Sequence, residues 1–239
     1  MPWYRADLHN HCDCDRQDAL GYSAGELIEA YHRAGVRIVA ITPHRDIFHD
    51  EHAADMAARL GMLLIPGVET LVSGREVVVL NLRPGDLPHH ATWADLRELR
   101  QKRGPSILVF APHPFYPRAS CVGPDLEIQT DCFDAVEWCH LYGFGFNPNR
   151  PAAAWAKRHH KPLLANSDAH HLDQVARNTL EIETGTLDIP SVFHAIRAGR
   201  VRNLTRPYTV GDVFHFALRV ELPNTLRKLA RHTGIHRRP

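Results

Sequence analysis

Short apolar, β-branched runs recur along the chain at residues 4–8, 36–42, 63–68, 77–82, 107–111, 135–138 and 163–165. Runs of this length, apolar at consecutive positions, have the pattern of strands buried on both faces. Amphipathic stretches separate them. Residues 23–34 open on a Ser-x-x-Glu capping box formed by Ser23 and Glu26, 52–60 are Ala-rich, and 92–103 alternate charged and apolar positions at helical spacing. Further helices are predicted over 149–160 and 190–199, with 204–207 as a connection into terminal helices.

Strands alternating with helices imply parallel βαβ units, so the fold class is α/β, and the pattern suits a closed or nearly closed β/α barrel better than a sandwich. An open doubly wound sheet is the runner-up. No strand is followed by a Gly-x-Gly-x-x-Gly turn, which removes the dinucleotide-binding fingerprint of that fold. At 239 residues with 44% hydrophobic composition the chain can bury one substantial core. The expected organisation is a barrel over 1–205 and a short helical extension over 206–239.

Charge and cysteine content narrow the setting. The formal charge of +1 hides a basic end, since residues 219–239 hold six Arg and Lys against one Glu. A solvated terminal helix explains that end more simply than a nucleic-acid grip, although a nucleic-acid substrate stays open beside a small-molecule phosphate ester. Oligomeric state is not readable. No run approaches the roughly 20 apolar residues that span a bilayer, and the opening Met1-Pro2-Trp3-Tyr4-Arg5 lacks a signal-peptide core, so the expected location is cytoplasmic. Five cysteines fit neither a disulfide framework nor a zinc ribbon. Cys12 and Cys14 interleave with histidines, but hard hydrolytic sites prefer nitrogen and oxygen ligands.

Histidine changes the picture, because 18 of them is about three times average usage. Barrel enzymes place catalytic groups at the C-terminal ends of strands. The first run leads into Asp7, His9 and His11, the second into His44, the third into Glu69, the fifth into His113, the sixth into His140 and the seventh into Asp168 and His170. Two residues apart on extended chain, His9 and His11 face the same way and can grip one ion, as can Asp168 and His170. Imidazole with carboxylate suits zinc, manganese or iron. So many candidates exceed the needs of one tetrahedral ion, which implies at least two metals with Glu69 or Asp168 as the bridge.

In Asp-Leu-His-Asn-His at 7–11, Ala-Ile-Thr-Pro-His at 40–44, Pro-Gly-Val-Glu at 66–69, Ala-Pro-His-Pro at 111–114 and Asn-Ser-Asp-Ala-His at 166–170, the chain resembles the polymerase and histidinol phosphatase (PHP) superfamily. The resemblance covers roughly residues 3–205. It implies a distorted (β/α)7 TIM-like barrel that holds two or three divalent metal ions and hydrolyses a phosphate ester through a metal-bridging hydroxide. Carried over by residue, it implies His9, His11, Glu69 and Asp168 at one metal, Glu69, His113 and His140 at a second, and His44 and His170 at a third. The third takes one more ligand from Asp13, Asp15 or Asp18, of which Asp18 is favoured. One departure is Pro43, where the family's second motif commonly has Asp; its loss bears on the orientation of His44.

The phosphoesterase reading makes Glu69, Asp168 and Arg45 the residues expected to act in catalysis, with Arg45, Arg118 and Arg177 as candidate phosphate clamps. His171 is one candidate acid for the leaving group. An amidohydrolase acting on a C–N bond shares the His-x-His opening, but commonly bridges its metals with a fourth-strand lysine, and residues 77–82 contain none. A non-catalytic metal-binding module is the third reading. His49, His52, His89, His90, His159 and His160 are expected outside the site.

Overall fold

The computed structural model of the chain describes residues 1–143, 145–216 and 225. The seven strands read from sequence appear as β1 (Trp3–Asp7), β2 (Ile38–Ile41), β3 (Leu63–Val72), β4 (Arg75–Leu80), β5 (Leu108–Ala111), β6 (Ala135–Trp138) and β7 (Leu163–Ala165). Two more follow, β8 (Thr179–Glu183) and β9 (Val201–Leu204). The helices are α1 (Ala24–Arg33), α2 (Glu51–Arg59), α3 (Trp93–Arg103), the single turn α4 (Asp125–Ile128), α5 (Asn149–Arg158), α6 (Ile189–Arg197) and α7 (Val210–Phe216). Ser23 caps α1 and Glu26 returns the bond to its backbone, the reciprocal pair its spacing predicts.

The nine strands of the described residues form one sheet in the order β7-β6-β5-β4-β3-β2-β1-β8-β9. The pairs β1–β2–β3 and β5–β6–β7 are parallel, as βαβ units require. The wholly parallel sheet expected from sequence is corrected at β4, which is antiparallel to both neighbours, and at β8 and β9. The cause at β4 is local. Ser73 and Gly74, both at positive φ, join β3 to β4 in two residues, which permits a hairpin and no crossover. β8 alternates as Thr-Leu-Glu-Ile-Glu and β9 is largely exposed, so neither carries the continuous apolar run of a doubly buried strand.

Side-chain alternation sorts the core. Ile38 and Ala40 point into the barrel with Val78, Leu80 and Phe110, whereas Val39 and Ile41 pack outward on α1 and α2. Val77 and Val79 face outward on the α3 and α5 side. Val192, Phe193 and Ile196 of α6 join the inner cluster and plug the barrel's lower end.

The sheet is nearly closed. At the mouth, Asn10 and Ala169 form a parallel bridge, His11 N–H donates to Ala169 O at 3.1 Å, and Leu8 N–H donates to Asn166 Oδ1 at 2.8 Å. Toward the other end β8 and β9 wedge between β1 and β7. There Asn203 clips β9 to β7, its Nδ2 donating to Leu163 O at 2.8 Å and its Oδ1 accepting from Ala165 N at 2.9 Å. Among the described residues no helix is long and apolar enough to cross a membrane. The basic extension expected over 206–239 lies outside the described residues from 217 onward, apart from Thr225; α7 is its described beginning.

Asn203→Ala removes both bonds of the clip. Urea unfolding is expected to show a loss of about 1–2 kcal/mol, with metal content unchanged.

Candidate metal centre

Beyond Asp7 the chain stays extended through His11, held by the Asn10–Ala169 bridge on one side and by Thr42 N–H donating to Asn10 O on the other. Alternation then aims His9 and His11 inward and Cys12 outward into the apolar cluster of α1 and α2. A second bridge pairs His44 with Glu69, which faces inward from within β3. His113, His140 and the pair Asp168 and His170 follow β5, β6 and β7. Among the described residues, Arg45, His113 and Asp168 are three of seven non-glycine residues at positive φ. Backbone strain of this kind concentrates at functional sites, at roughly 1–3 kcal/mol each.

These side chains converge. Glu69 Oε2 lies 3.2 Å from His9 Nε2, 3.4 Å from His11 Nε2 and 3.2 Å from His44 Nε2, while its Oε1 lies 3.4 Å from His113 Nε2. Asp168 divides in the same way: Oδ1 is 3.3 Å from His11 Nε2, and Oδ2 is 3.7 Å from His140 Nδ1 and 3.8 Å from His113 Nε2. His170 Nε2 sits 2.9 Å from Asp18 Oδ2, and His44 Nδ1 sits 3.8 Å from that same oxygen.

The outer ring nitrogens explain the aim of the inner ones. His9 Nδ1 donates to Glu137 Oε1 at 3.0 Å, and His170 Nδ1 to Asp168 O at 2.9 Å. His11 Nδ1 and His44 Nδ1 both donate to Asp15 Oδ2, at 2.8 and 2.7 Å. An ionised carboxylate and a backbone carbonyl have no proton to give, so each Nδ1 carries the hydrogen. That leaves an Nε2 lone pair on every one of the four rings, facing either a carboxylate oxygen or another imidazole. Only cations between them, protons or metal ions, relieve that arrangement.

The donors fit divalent metals. Among the described residues, both ring nitrogens of buried His140 and Oδ1 of Asp168 have no hydrogen-bond partner, and nitrogen and oxygen donors around shared carboxylates are the ligand set of zinc, manganese or iron. Glu137 and Asp15 hold these histidines from outside, as the outer carboxylates of metal centres hold their histidines. Without metal, protons take the place of the ions. Burial opposes charge on His9 and His113, but Glu137 beside the first, and Cys121 and Glu69 beside the second, hold both well above the usual imidazole range. Burial would raise Glu69 and Asp168, but His9 above all drives both well below the usual carboxylate range. His140, with burial dominant, falls to about 4.

All nine metal candidates, His9, His11, Asp18, His44, Glu69, His113, His140, Asp168 and His170, therefore meet in one cluster. Of the three downstream aspartates, Asp13 is exposed, Asp18 faces His170 and His44, and Asp15 orients two histidines and also accepts His44 N–H at 3.0 Å. Asp15 thus performs the orientation that Pro43 cannot. Arg45 stands outside the cluster, exposed along a groove of about 1320 Å³ that also meets Asp13, Cys14 and Arg16. Arg118 is exposed beyond His113. Arg177 is engaged elsewhere, bidentate to Asp212 and stacked 3.9 Å from the Tyr208 ring centroid. His171 Nδ1 accepts Asp173 N–H, and His159 pairs with Glu127.

Sequence reasoning missed Glu137, Asn166 and Glu76. Glu137 Oε1 also accepts Asn166 Nδ2 at 2.8 Å and its Oε2 accepts His113 N–H at 2.9 Å, so it ties three strand ends together. Its signal was a lone carboxylate inside the otherwise apolar run 135–138. Glu76, buried on β4, lies 3.8 Å from His113 Nδ1. Behind the cluster, burial pushes Asp7 up to about 7. A protonated Asp7 suits its setting, because Tyr31 OH is flanked by two acceptors, Asp7 Oδ2 and Asn10 Oδ1.

A family model described as PHP-associated, PHP_C, matches residues 146–201. No curated protein sequence matches the chain. Among solved structures, a two-domain protein from Bacteroides vulgatus containing a predicted PHP-like metal-dependent phosphoesterase superposes with a TM-score of 0.68 at 18% identity over 86% of this chain. The chain spans 65% of that protein's length. PsfC from Pseudomonas syringae gives 0.66 at 16% identity, covering 95% of this chain and 99% of PsfC. Endonuclease Q bound to a 27-mer duplex with an abasic lesion at its active site gives 0.62 at 15% identity, over 90% of this chain and 67% of the endonuclease. At these identities the structural likenesses carry the fold.

The protonated cluster has a pH signature. Burial lowers His170, but Asp168 and Asp18 raise it to about 9 from 6.5. A raised folded value means stability fully present below pH 6.5 and lost as pH rises through 9. Urea midpoints of protein held in chelator are expected to fall across that window, and His170→Ala to flatten the slope.

Proposed function

We propose that this chain is a metal-dependent phosphoesterase of the PHP superfamily, a reading supported by the PHP-associated model match and the shared fold. The observation that carries the reading is the set of imidazoles whose outer nitrogens are tied off by Glu137, Asp15 and Asp168, so that their inner nitrogens close on Glu69 and Asp18. That donor set supports His9, His11, Glu69 and Asp168 at one ion, Glu69, His113 and His140 at a second, and Asp18, His44 and His170 at a third. Glu69 would be shared between ions, because its two oxygens face different histidines.

Bound divalent metals would supply an acidified water as nucleophile and neutralise the phosphoryl oxygens. The chain's own residues do the rest. Glu137 and Asp15 keep the histidines in one tautomer, and Glu69 is held buried among them at 2% exposure. Arg45 from the groove and Arg118 from the loop after His113 meet the substrate phosphate. Desolvation opposes charge on Arg118, but the field of Glu76 and Asp168 raises its guanidinium above the usual range. The absence of a lysine from β4 favours phosphoester over C–N chemistry. The substrate is a small phosphate ester or a nucleic-acid end.

Reconstitution with manganese or zinc, followed by a panel of sugar phosphates, nucleotides and short oligonucleotides, tests the activity. Phosphate release from at least one is expected; protein that binds two or more ions yet hydrolyses none would sink the proposal. Glu69→Gln is expected to lose metal content and about 100-fold or more in kcat. Arg118→Ala should raise KM about tenfold with kcat nearly unchanged, the pattern of lost phosphate binding.

A further inference from the structure

Two thiols flank Asp13 at the edge of the metal centre. Cys12 is fully buried among Leu20 and Tyr22, Cys14 is exposed along the groove, and their Sγ atoms lie 3.1 Å apart. The turn that brings them together is fixed from both sides. Asp15 N–H donates to Cys12 O and Asp13 N–H to Tyr22 O, each at 2.9 Å. Its next residue, Asp15, is the carboxylate on which His11 Nδ1, His44 Nδ1 and His44 N–H converge. The same side chain accepts the backbone N–H groups of Gln17 and Asp18. The thiol pair and the orientation of two metal-facing histidines thus share one turn.

We propose that Cys12 and Cys14 are a peroxide-sensitive dithiol whose disulfide loosens the hold of the metal centre. Cys14, reachable from solvent, attacks the peroxide O–O bond, becoming a sulfenic acid and releasing water. Cys12 then attacks the Cys14 sulfur, the S–O bond breaks, and a second water leaves with the Cys12 proton. Two thiols are oxidised by two electrons and one hydrogen peroxide is reduced to two waters. Thiol donors such as dithiothreitol reverse the bond by exchange.

The consequence follows from the turn. Joining sulfurs now 3.1 Å apart requires about 1 Å of approach across a single intervening residue. The movement falls on the segment that carries Asp15, and displacing an orienting carboxylate typically weakens metal binding by about 10- to 100-fold. The loosening rests on the metal reading of the cluster; the disulfide does not.

The test uses the full chain. After treatment with a slight excess of hydrogen peroxide, denaturation and alkylation, the tryptic peptide 6–16, whose only cysteines are this pair, is expected unalkylated and lighter by two hydrogens. Titratable thiols should fall from five to three and recover in dithiothreitol. The oxidised protein should bind Mn²⁺ about tenfold more weakly than the reduced, whereas peroxide-treated Cys14→Ser, altered only at an exposed position, should keep the reduced affinity. A peptide 6–16 recovered with both cysteines alkylated, or a disulfide with unchanged Mn²⁺ affinity, overturns the proposal. A disulfide in protein that binds no Mn²⁺ in either state overturns the metal reading instead.

Discussion

Glu69 sits inside β3, almost wholly buried, with imidazole nitrogens on both of its oxygens. A carboxylate in such a place is costly unless cations surround it. The mouth of the barrel is organised around meeting that requirement. His9 and His11 come from extended chain beyond β1, His44 from the bridge beside Glu69 itself, and His113 from a strained residue after β5. Each is fixed by a group behind it, so the positive charge that Glu69 needs is delivered to a defined place.

The outer carboxylates make this arrangement specific. Glu137 joins His9, Asn166 and the His113 backbone, and so connects the ends of β1, β5 and β7 through one buried side chain. Asp15 plays the corresponding part for His11 and His44. The barrel is bridged at the same level by Asn10 and Ala169, which ties the geometry of the cluster to closure of the sheet. Fold and centre are therefore not separable: the bonds that shut the mouth also set the spacing of the clustered side chains. The thiol pair belongs to this logic, because Asp15 links its turn to the cluster.

The chain by itself determined the strand-and-helix alternation and the ligand types at strand ends, since apolar runs and period-two spacing are local properties. His9 with His11 and Asp168 with His170 were legible because neighbours on extended chain share a face. The Ser-Gly turn before β4 was legible in principle, yet the expectation of crossovers hid it. What only the tertiary structure decided were the partners across strands. Glu137 reads in sequence as one charge in an apolar run, and its role exists only once β1, β5 and β7 are adjacent. The same holds for Asp15 against Asp13 and Asp18, three carboxylates that spacing cannot rank. The turn at 12–15 sends one to solvent, one to two histidines and one toward His170. β8 and β9 were missed for a related reason: β8 alternates over only five residues and β9 is largely exposed, so neither carries a continuous apolar run, and both are held by pairing beside β1 and by the Asn203 clip to β7.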